Sequence, residues 1–314
     1  SGGKTNVCLS GLTYAINCAS HSHRSLNRVQ GCMKIPKRLQ PLVDDGLIDD
    51  VIRRLKSGKE ADVFIVRCGD EIRCAKVYKE AEKRNFKQAV HYQEGRKVRN
   101  SRDARAMSKG SKFGRQQQEE AWQNTEVDAL YLLAKAGVRV PQPDICLDGV
   151  LLMELITDEE GLVAPRLSDV ILTPEQARAD HALMMNYAVR MLCAGLVHGD
   201  LSEFNVLMDK DGPVIIDLPQ VVDAAANNHA KSMFERDIGN LAEYYGQFAP
   251  ELRDSQYAKE IWALYQEGNL TPDSVLSGRF SETLKRADVG SVLEEIQAAG
   301  EEHQRRMMAR NAEE

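Results

Sequence analysis

Between residues 198 and 217 the chain reads His198-Gly199-Asp200-Leu201-Ser202-Glu203-Phe204-Asn205 and then, after a short interval, Val214-Ile215-Ile216-Asp217. No other stretch narrows its folding choices as much. Two apolar runs of strand length, Val206-Leu207-Met208 and Val214-Ile215-Ile216, flank the motif as a hairpin. Around them stand three oxygen-bearing side chains, Asp200, Asn205 and Asp217. Phosphoryl transfer needs a carboxylate to orient the attacking hydroxyl, and an amide oxygen with a second carboxylate to hold Mg²⁺. Asp200 therefore reads as a catalytic base, and Asn205 and Asp217 read as metal ligands. A polar loop followed by an Asp-terminated strand can arise by chance, but both halves in this order argue against chance.

Upstream, Ser57-Gly58-Lys59-Glu60-Ala61-Asp62-Val63 lies where a phosphate-covering loop belongs, and the sequence places it between a helix and a strand. Aligned on Val63, the glycine-rich pattern G-x-G-x-x-G becomes Lys56-x-Gly58-x-x-Ala61, so only the middle glycine remains and side chains must take over part of its work. Alternation along Ile72-Arg73-Cys74-Ala75-Lys76 puts Cys74 and Lys76 on one face. A lysine among apolar neighbours needs an anionic partner; phosphates and Glu126, on the helix of Trp122, provide one. Val150 to Ile156 by itself reads only as an apolar, buried strand; in a kinase-like fold it would lead into the hinge, where the backbone of Glu154 and Ile156 would bond an adenine edge. Val63, Cys74 and Leu207 would then sandwich the ring.

The rest of the chain supplies the frame. Leu47, Ile48, Val51, Ile52 and Leu55 recur at helical spacing and predict an amphipathic helix over 42–55. Strands are expected at Ala61 to Arg67 and Ile72 to Tyr78, joined at Cys68-Gly69-Asp70-Glu71, and a helix from about Glu119 to Ala136. Thr173-Pro174-Glu175-Gln176 opens another helix with a capping box and ends near Gly195. Strands first and helices after predict an α+β, two-lobed plan: a small N-terminal lobe with an antiparallel sheet, and a larger, mostly helical C-terminal lobe. The expected divisions are 1–32, a leader, disordered or an added extension; 33–156, the N-terminal helix and nucleotide-binding lobe; 157–280, the catalytic lobe; and 281–314, a helical tail.

Charge and cysteines restrict partners. A formal net charge of −6 argues against non-specific coating of nucleic acid. Residues 83–115, however, hold eleven Lys and Arg against Glu94 and Asp103, a mobile basic segment that could meet RNA, a ribosomal subunit or another acidic partner. Seven scattered cysteines without a C-x-x-C pair read as reduced thiols in the cytoplasm. Cys18, His21, His23 and Cys32 match no common zinc spacing. No apolar run approaches the roughly 18 residues that a membrane helix needs.

These motifs resemble those of the RIO kinase family: S-G-K-E-A at 57–61, C-A-K-V-Y-K at 74–79, H-G-D-L-S-E-F-N at 198–205 and I-I-D-L-P-Q at 215–220, in order, over about Met33 to Tyr245. The resemblance, to a bacterial RIO-type protein, implies a compact kinase fold with a reduced activation segment. It also implies an atypical serine/threonine kinase using ATP with Mg²⁺, or Mn²⁺ in its place, and acting on a protein substrate, on itself or as an ATPase. Relatives outside bacteria work on maturing small ribosomal subunits. Ser57, Gly58, Lys59, Glu60 and Ala61 would then cover the phosphates, with Lys76 and Glu126 acting beside Asp200. Val63, Cys74, Met153 and Leu207 would line the base, and Glu154, Ile156, Glu203 and Ile216 would complete the nucleotide site.

Two departures from ordinary protein kinases bear on rate. Ser202 stands where those enzymes place a lysine, which removes a positive charge from the transition state. Pro219 follows the metal-site Asp217 by two residues and stiffens the turn. No A-P-E element follows Asp217 where an activation segment would end. Two other readings stand beside this one: a small-molecule kinase of the aminoglycoside or choline type, and an ATP-gated binding switch. Ser108 and Ser111, in the basic segment, are the expected autophosphorylation sites.

Overall fold

In the computed structural model, residues 34–79 and 125–281 are described, with the backbone of Ala15–Ile16. The chain divides into two compact units, Ser1–Arg279 and Phe280–Glu314, and the second lies almost wholly outside the described residues. So do the basic segment 83–115 with Ser108 and Ser111, nearly all of the leader, and the tail beyond Ser281. From the leader, Ala15–Ile16 pairs antiparallel with Val170–Ile171.

The first unit opens with a short helix, α1 (Gln40–Asp44), and continues into β1 (Asp50–Ser57), β2 (Ala61–Cys68) and β3 (Glu71–Tyr78). The expected helix over 42–55 is therefore corrected. Gly46 adopts a left-handed φ of 72° and ends the helical turn, as glycine does at little cost. Residues 50–57 then pair with β2, so tertiary pairing overrides a spacing that short apolar runs satisfy in either conformation. The correction moves the phosphate loop, because residues 58–60 now turn between two strands rather than between a helix and a strand.

A helix over 125–135, here α2, precedes β4 (Pro143–Leu147) and β5 (Val150–Glu154). The five strands form one antiparallel sheet in the order β1-β2-β3-β5-β4. Alternation separates its faces. Phe64, Val66, Ala75, Val77, Val150 and Leu152 pack against Leu39 and Leu42 beside α1. Ala61, Tyr78 and Leu151 join the larger core of the second lobe.

That lobe is built on α3 (Pro174–Cys193), whose capping box is formed as the sequence predicts: Gln176 N donates to Thr173 Oγ1, and Thr173 N donates to Gln176 Oε1. Next come the hairpin β6 (Val206–Asp209) and β7 (Gly212–Ile215), then α4 (Ala230–Tyr245) and α5 (Tyr257–Gln266). Met184, Met185, Leu192, Leu241, Tyr245 and Ile261 bury the contacts among the three helices. No helix among the described residues is long and apolar enough to cross a membrane.

Candidate active site

Three elements converge on Lys76. From β3 its ammonium reaches Glu126 Oε1 on α2 at 2.6 Å and Asp217 Oδ1, just past β7, at 3.0 Å. Lys76 and Glu126 are 8% and 3% exposed, so this is a buried pair, whereas the Asp217 side chain keeps 42% of its surface in solvent. The other Glu126 oxygen accepts the Tyr78 hydroxyl at 2.5 Å. Burial alone would lower the Lys76 pKa, but Glu126 and then Asp217 outweigh it and hold the ammonium above the ordinary lysine value. The same ammonium, acting against burial, keeps the Asp217 carboxyl below its usual range.

Asp217 is held by its backbone as well. Its φ of 66° lies in the left-handed region, which aspartate tolerates better than most residues. The Ile216 amide donates to the Asn205 carbonyl at 2.9 Å, and His198 Nε2 contacts the Ile216 carbonyl at 3.2 Å. His198 Nδ1 accepts the Asp200 amide at 3.3 Å, so the neutral tautomer with hydrogen on Nε2 satisfies both contacts. Burial lowers the pKa of this imidazole and favours that neutral form. One ring thereby sets the distance between the loop of Asp200 and the strand of Asp217.

Asp200 stands exposed at the lip, yet the surrounding protein excludes enough water to push its carboxyl above the usual range, with His198 and Arg236 pulling the other way. The Gln220 amide reaches Asp200 Oδ2 at 3.4 Å. Asn205 Nδ2 donates to the Asp200 carbonyl at 2.8 Å, which leaves Oδ1 of the same amide for a ligand. Ionised Asp217 and the Asn205 oxygen are hard donors suited to Mg²⁺, an ion usually held by one or two protein oxygens together with substrate phosphates. No group of three or more His, Cys, Asp or Glu able to hold a metal occurs among the described residues.

The turn expected to cover phosphates is braced by side chains. Ser57 Oγ donates to Asp62 Oδ1 at 2.5 Å, and Lys79 Nζ reaches the Gly58 carbonyl at 2.6 Å and Asp62 at 3.3 Å. Backbone bonds from Gly58 N to Ala61 O and from Lys79 N to Glu60 O close the turn. Lys59 is exposed at its tip.

Strand register places Val63 opposite Lys76, Ile65 opposite Cys74, and Cys74 opposite Met153. Cys74 and Met153 therefore share the face of Lys76. Cys74 is only 5% exposed, and burial pushes its thiol up to about 12. Cys74 is thus largely withdrawn from solvent although it lies on the face of Lys76. Below, half-buried Leu207 packs on Ile156, Ala164 and Val214. At the hinge the Glu154 amide is already donated to the Gln142 carbonyl, and the Ile156 carbonyl accepts from Ala164; the Glu154 carbonyl and the Ile156 amide are the groups left for a base. Glu203 is half-buried on the turn before Asn205, and Ile216 is half-buried beside Asp217.

Two polar groups of the site escaped the sequence reading. Asp237 of α4, 2% exposed, accepts the Gly199 amide at 2.7 Å, while neighbouring Arg236 donates to the Gly199 carbonyl. Burial pushes the Asp237 carboxyl up to about 7 against these donors. The signal was legible: a carboxylate among Met233, Phe234, Ile238 and Leu241 on the apolar stripe of a helix. The second is Arg139. Its guanidinium bonds both Glu154 oxygens at 3.0 Å and Asp209 Oδ2 at 3.0 Å, and its carbonyl accepts the Ile215 amide.

Comparison with known proteins bears on the family and the fold. The family model for the RIO domain matches residues 62–258. The RIO-type serine/threonine-protein kinase Rio1 of Haloferax volcanii is 36% identical over 208 residues, covering 65% of this chain and 66% of that protein. The serine/threonine-protein kinase rio1 of Schizosaccharomyces pombe is 30% identical over 215 residues, covering 66% of this chain and 40% of that protein. The chain thus spans between two fifths and two thirds of these relatives' lengths. The crystal structure of the Rio2 kinase from Chaetomium thermophilum superposes with a TM-score of 0.52 at 19% identity, covering 85% of this chain and 77% of that one, and bears out the kinase-like, two-lobed α+β fold. By its fold and by the match to well over half of its length, this chain belongs to the RIO domain family.

Proposed function

We propose that the chain is an ATP- and Mg²⁺-dependent phosphotransferase acting as a RIO-type serine/threonine kinase. The observation that carries this reading is the buried Lys76–Glu126 pair extended to Asp217, with Asp200 and Asn205 tied to the same strand end through His198 and Ile216. Lys76 orients phosphate oxygens, and Glu126 holds Lys76 in place. Asn205 and Asp217 would hold the metal, which when bound neutralises charge on the phosphates. Asp200 orients the acceptor hydroxyl and takes its proton; a carboxyl with a raised pKa is a better base for that step than an ordinary one.

Incubation with γ-labelled ATP and Mg²⁺, alone and with ribosomal subunits, tests the reading. Phosphate transferred to a hydroxyl or released to water supports it, and the absence of both, with no nucleotide bound, refutes it. Ser108 and Ser111, outside the described residues, are the acceptors proposed for self-transfer, with phosphate expected between Arg105 and Arg115 in peptide mass spectra. Mn²⁺ is proposed as a working substitute. The basic segment 83–115 is proposed to meet RNA, a ribosomal subunit or another acidic partner. Cys68, Cys74, Cys146 and Cys193 are free thiols, in keeping with a proposed cytoplasmic location.

A second reading, slow ATP hydrolysis that switches a binding state, draws on Ser202. Its carbonyl caps the turn by accepting the Asn205 amide, and its side chain brings no cation to the transferring group.

A further inference from the structure

The row of paired residues that carries Lys76 continues outward across the sheet. Lys76 on β3 pairs with Val63 on β2, and Val63 pairs with Lys56 on β1. Residues directly opposite one another in antiparallel strands project on the same face. Lys56 therefore stands two strands from Lys76 on the face that looks into the site, where a glycine-rich loop would have its first glycine. On the opposite wall, Arg166 pairs with Leu207 through an isolated bridge, so that its half-buried side chain leaves beside the floor of the pocket.

Lys56 and Arg166 act on each other. The forces on the Lys56 ammonium are, in order, burial and Arg166, which lower its pKa, then Asp217, which raises it, and Lys76, which lowers it again. Among the described residues neither Lys56 nor Arg166 has a side-chain hydrogen bond or an ion pair. Two neighbouring cations repel in the empty site, with Asp217 relieving Lys56 only in part, and the repulsion turns to advantage around an anion.

The inner site does not supply that favourable charge. Lys76 is already taken by Glu126 and Asp217, Asp200 adds another carboxylate, and Ser202 brings no charge. The formal charges of Lys76, Glu126, Asp217 and Asp200 sum to −2, so a divalent metal brings the inner site only to neutrality and leaves no surplus positive charge for a polyphosphate.

We infer that Lys56 and Arg166 form a cationic subsite at the outer edge of the pocket that faces the phosphate chain of a nucleoside polyphosphate and grades ligands by their phosphate charge. The inference rests on the nucleotide reading proposed above and deepens it. It assigns the discrimination between adenosine and its phosphates to Lys56, at the first position of the degenerate glycine-rich pattern, and to Arg166, outside the motifs that mark the site. The braced turn at Ser57–Ala61 sets where Lys56 can reach, and the bridge to Leu207 sets where Arg166 can reach.

The test measures dissociation constants by equilibrium titration at constant Mg²⁺ for ATP, ADP, AMP and adenosine. The proteins are the unmodified chain, Lys56→Gln, Arg166→Gln, the double variant, and the charge-keeping Lys56→Arg and Arg166→Lys. Each charge removal is expected to weaken ATP about tenfold, the scale of a charged hydrogen bond, with the loss shrinking from ATP to AMP and adenosine unchanged within about twofold. The charge-keeping variants retain most of the affinity, and added salt narrows the differences. Equal weakening of adenosine and ATP would show that the residues only shape the pocket, and would overturn the subsite. So would ATP binding by Lys56→Gln and Arg166→Gln that matches the unmodified chain; in that case nucleotide binding itself stands. An unmodified chain that binds no Mg·ATP overturns both.

Discussion

Replacing Lys76 with Met leaves Glu126 buried and charged, with the Tyr78 hydroxyl as its remaining partner in the pair described above. Removing one partner of a buried ion pair costs about 3–5 kcal/mol, because the other charge keeps its desolvation penalty without its counterion. The Lys76–Glu126 contact belongs in that class, since the two side chains retain 10% and 4% of their surface. The contact with Asp217 does not, because its 42% exposure lets water replace much of what is lost. The lower part of the range, about 3–4 kcal/mol, is therefore expected, enough to lower the melting temperature by roughly 6–16 °C in a domain of this size. Glu126→Gln added to Lys76→Met removes the stranded charge while keeping an acceptor for Tyr78, and recovers at least about 2 kcal/mol. Urea unfolding of the parent, both single variants and the double variant closes the cycle. A single Lys76→Met cost below about 1 kcal/mol, or a double variant as unstable as the worse single one, would refute the view that the pair is buried and mutually dependent.

Asp200→Asn should abolish turnover while nucleotide affinity stays near that of the parent, and Asp217→Asn should weaken Mg·ATP binding itself; paired titration and single-turnover measurements separate the two, and equal behaviour of both variants would break the assignment. The Asp237 carboxyl, pushed up to about 7, is raised above its unfolded value, so its contribution to stability is whole below about pH 4 and is lost as pH rises through about 7. Urea midpoints of the parent should therefore fall relative to those of Asp237→Asn between those limits, and parallel profiles would show that this group does not titrate there. Cys74 should resist alkylation in the native protein with or without nucleotide, whereas exposed Cys146 and Cys193 react. Fast, nucleotide-sensitive labelling of Cys74 read by peptide mass spectrometry would mean that the sheet is looser at that strand than its burial implies.

What the sequence reveals best are places where local chemistry and fold agree. The capping box at Thr173, the hairpin around Leu207 and Val214, and the alternation that turns Lys76 inward are each settled by a few neighbouring residues. The helix expected over 42–55 fails for the opposite reason. Val51, Ile52 and Leu55 satisfy helical spacing, but the edge of β2 offers them a ladder of hydrogen bonds that spacing cannot foresee. Pairings across long separations are similarly hidden. Lys76 with Asp217, Arg139 with Asp209 and Gly199 with Asp237 join residues far apart in the chain. Of these, the first joins two residues that the motifs mark separately, while the other two needed the fold. Helices α4 and α5 were not anticipated, although Asp237 stands out once α4 is known.

Arg139 has a mechanical consequence. With its guanidinium on Glu154 at the end of the sheet and on Asp209 in the β6–β7 hairpin, and its carbonyl on Ile215, it works as a rivet through the place where two lobes would otherwise flex. A joint riveted there transmits tilt instead of absorbing it. A ligand that lifts or lowers the sheet must carry the hairpin with it, and with the hairpin the strand end that bears Asp217.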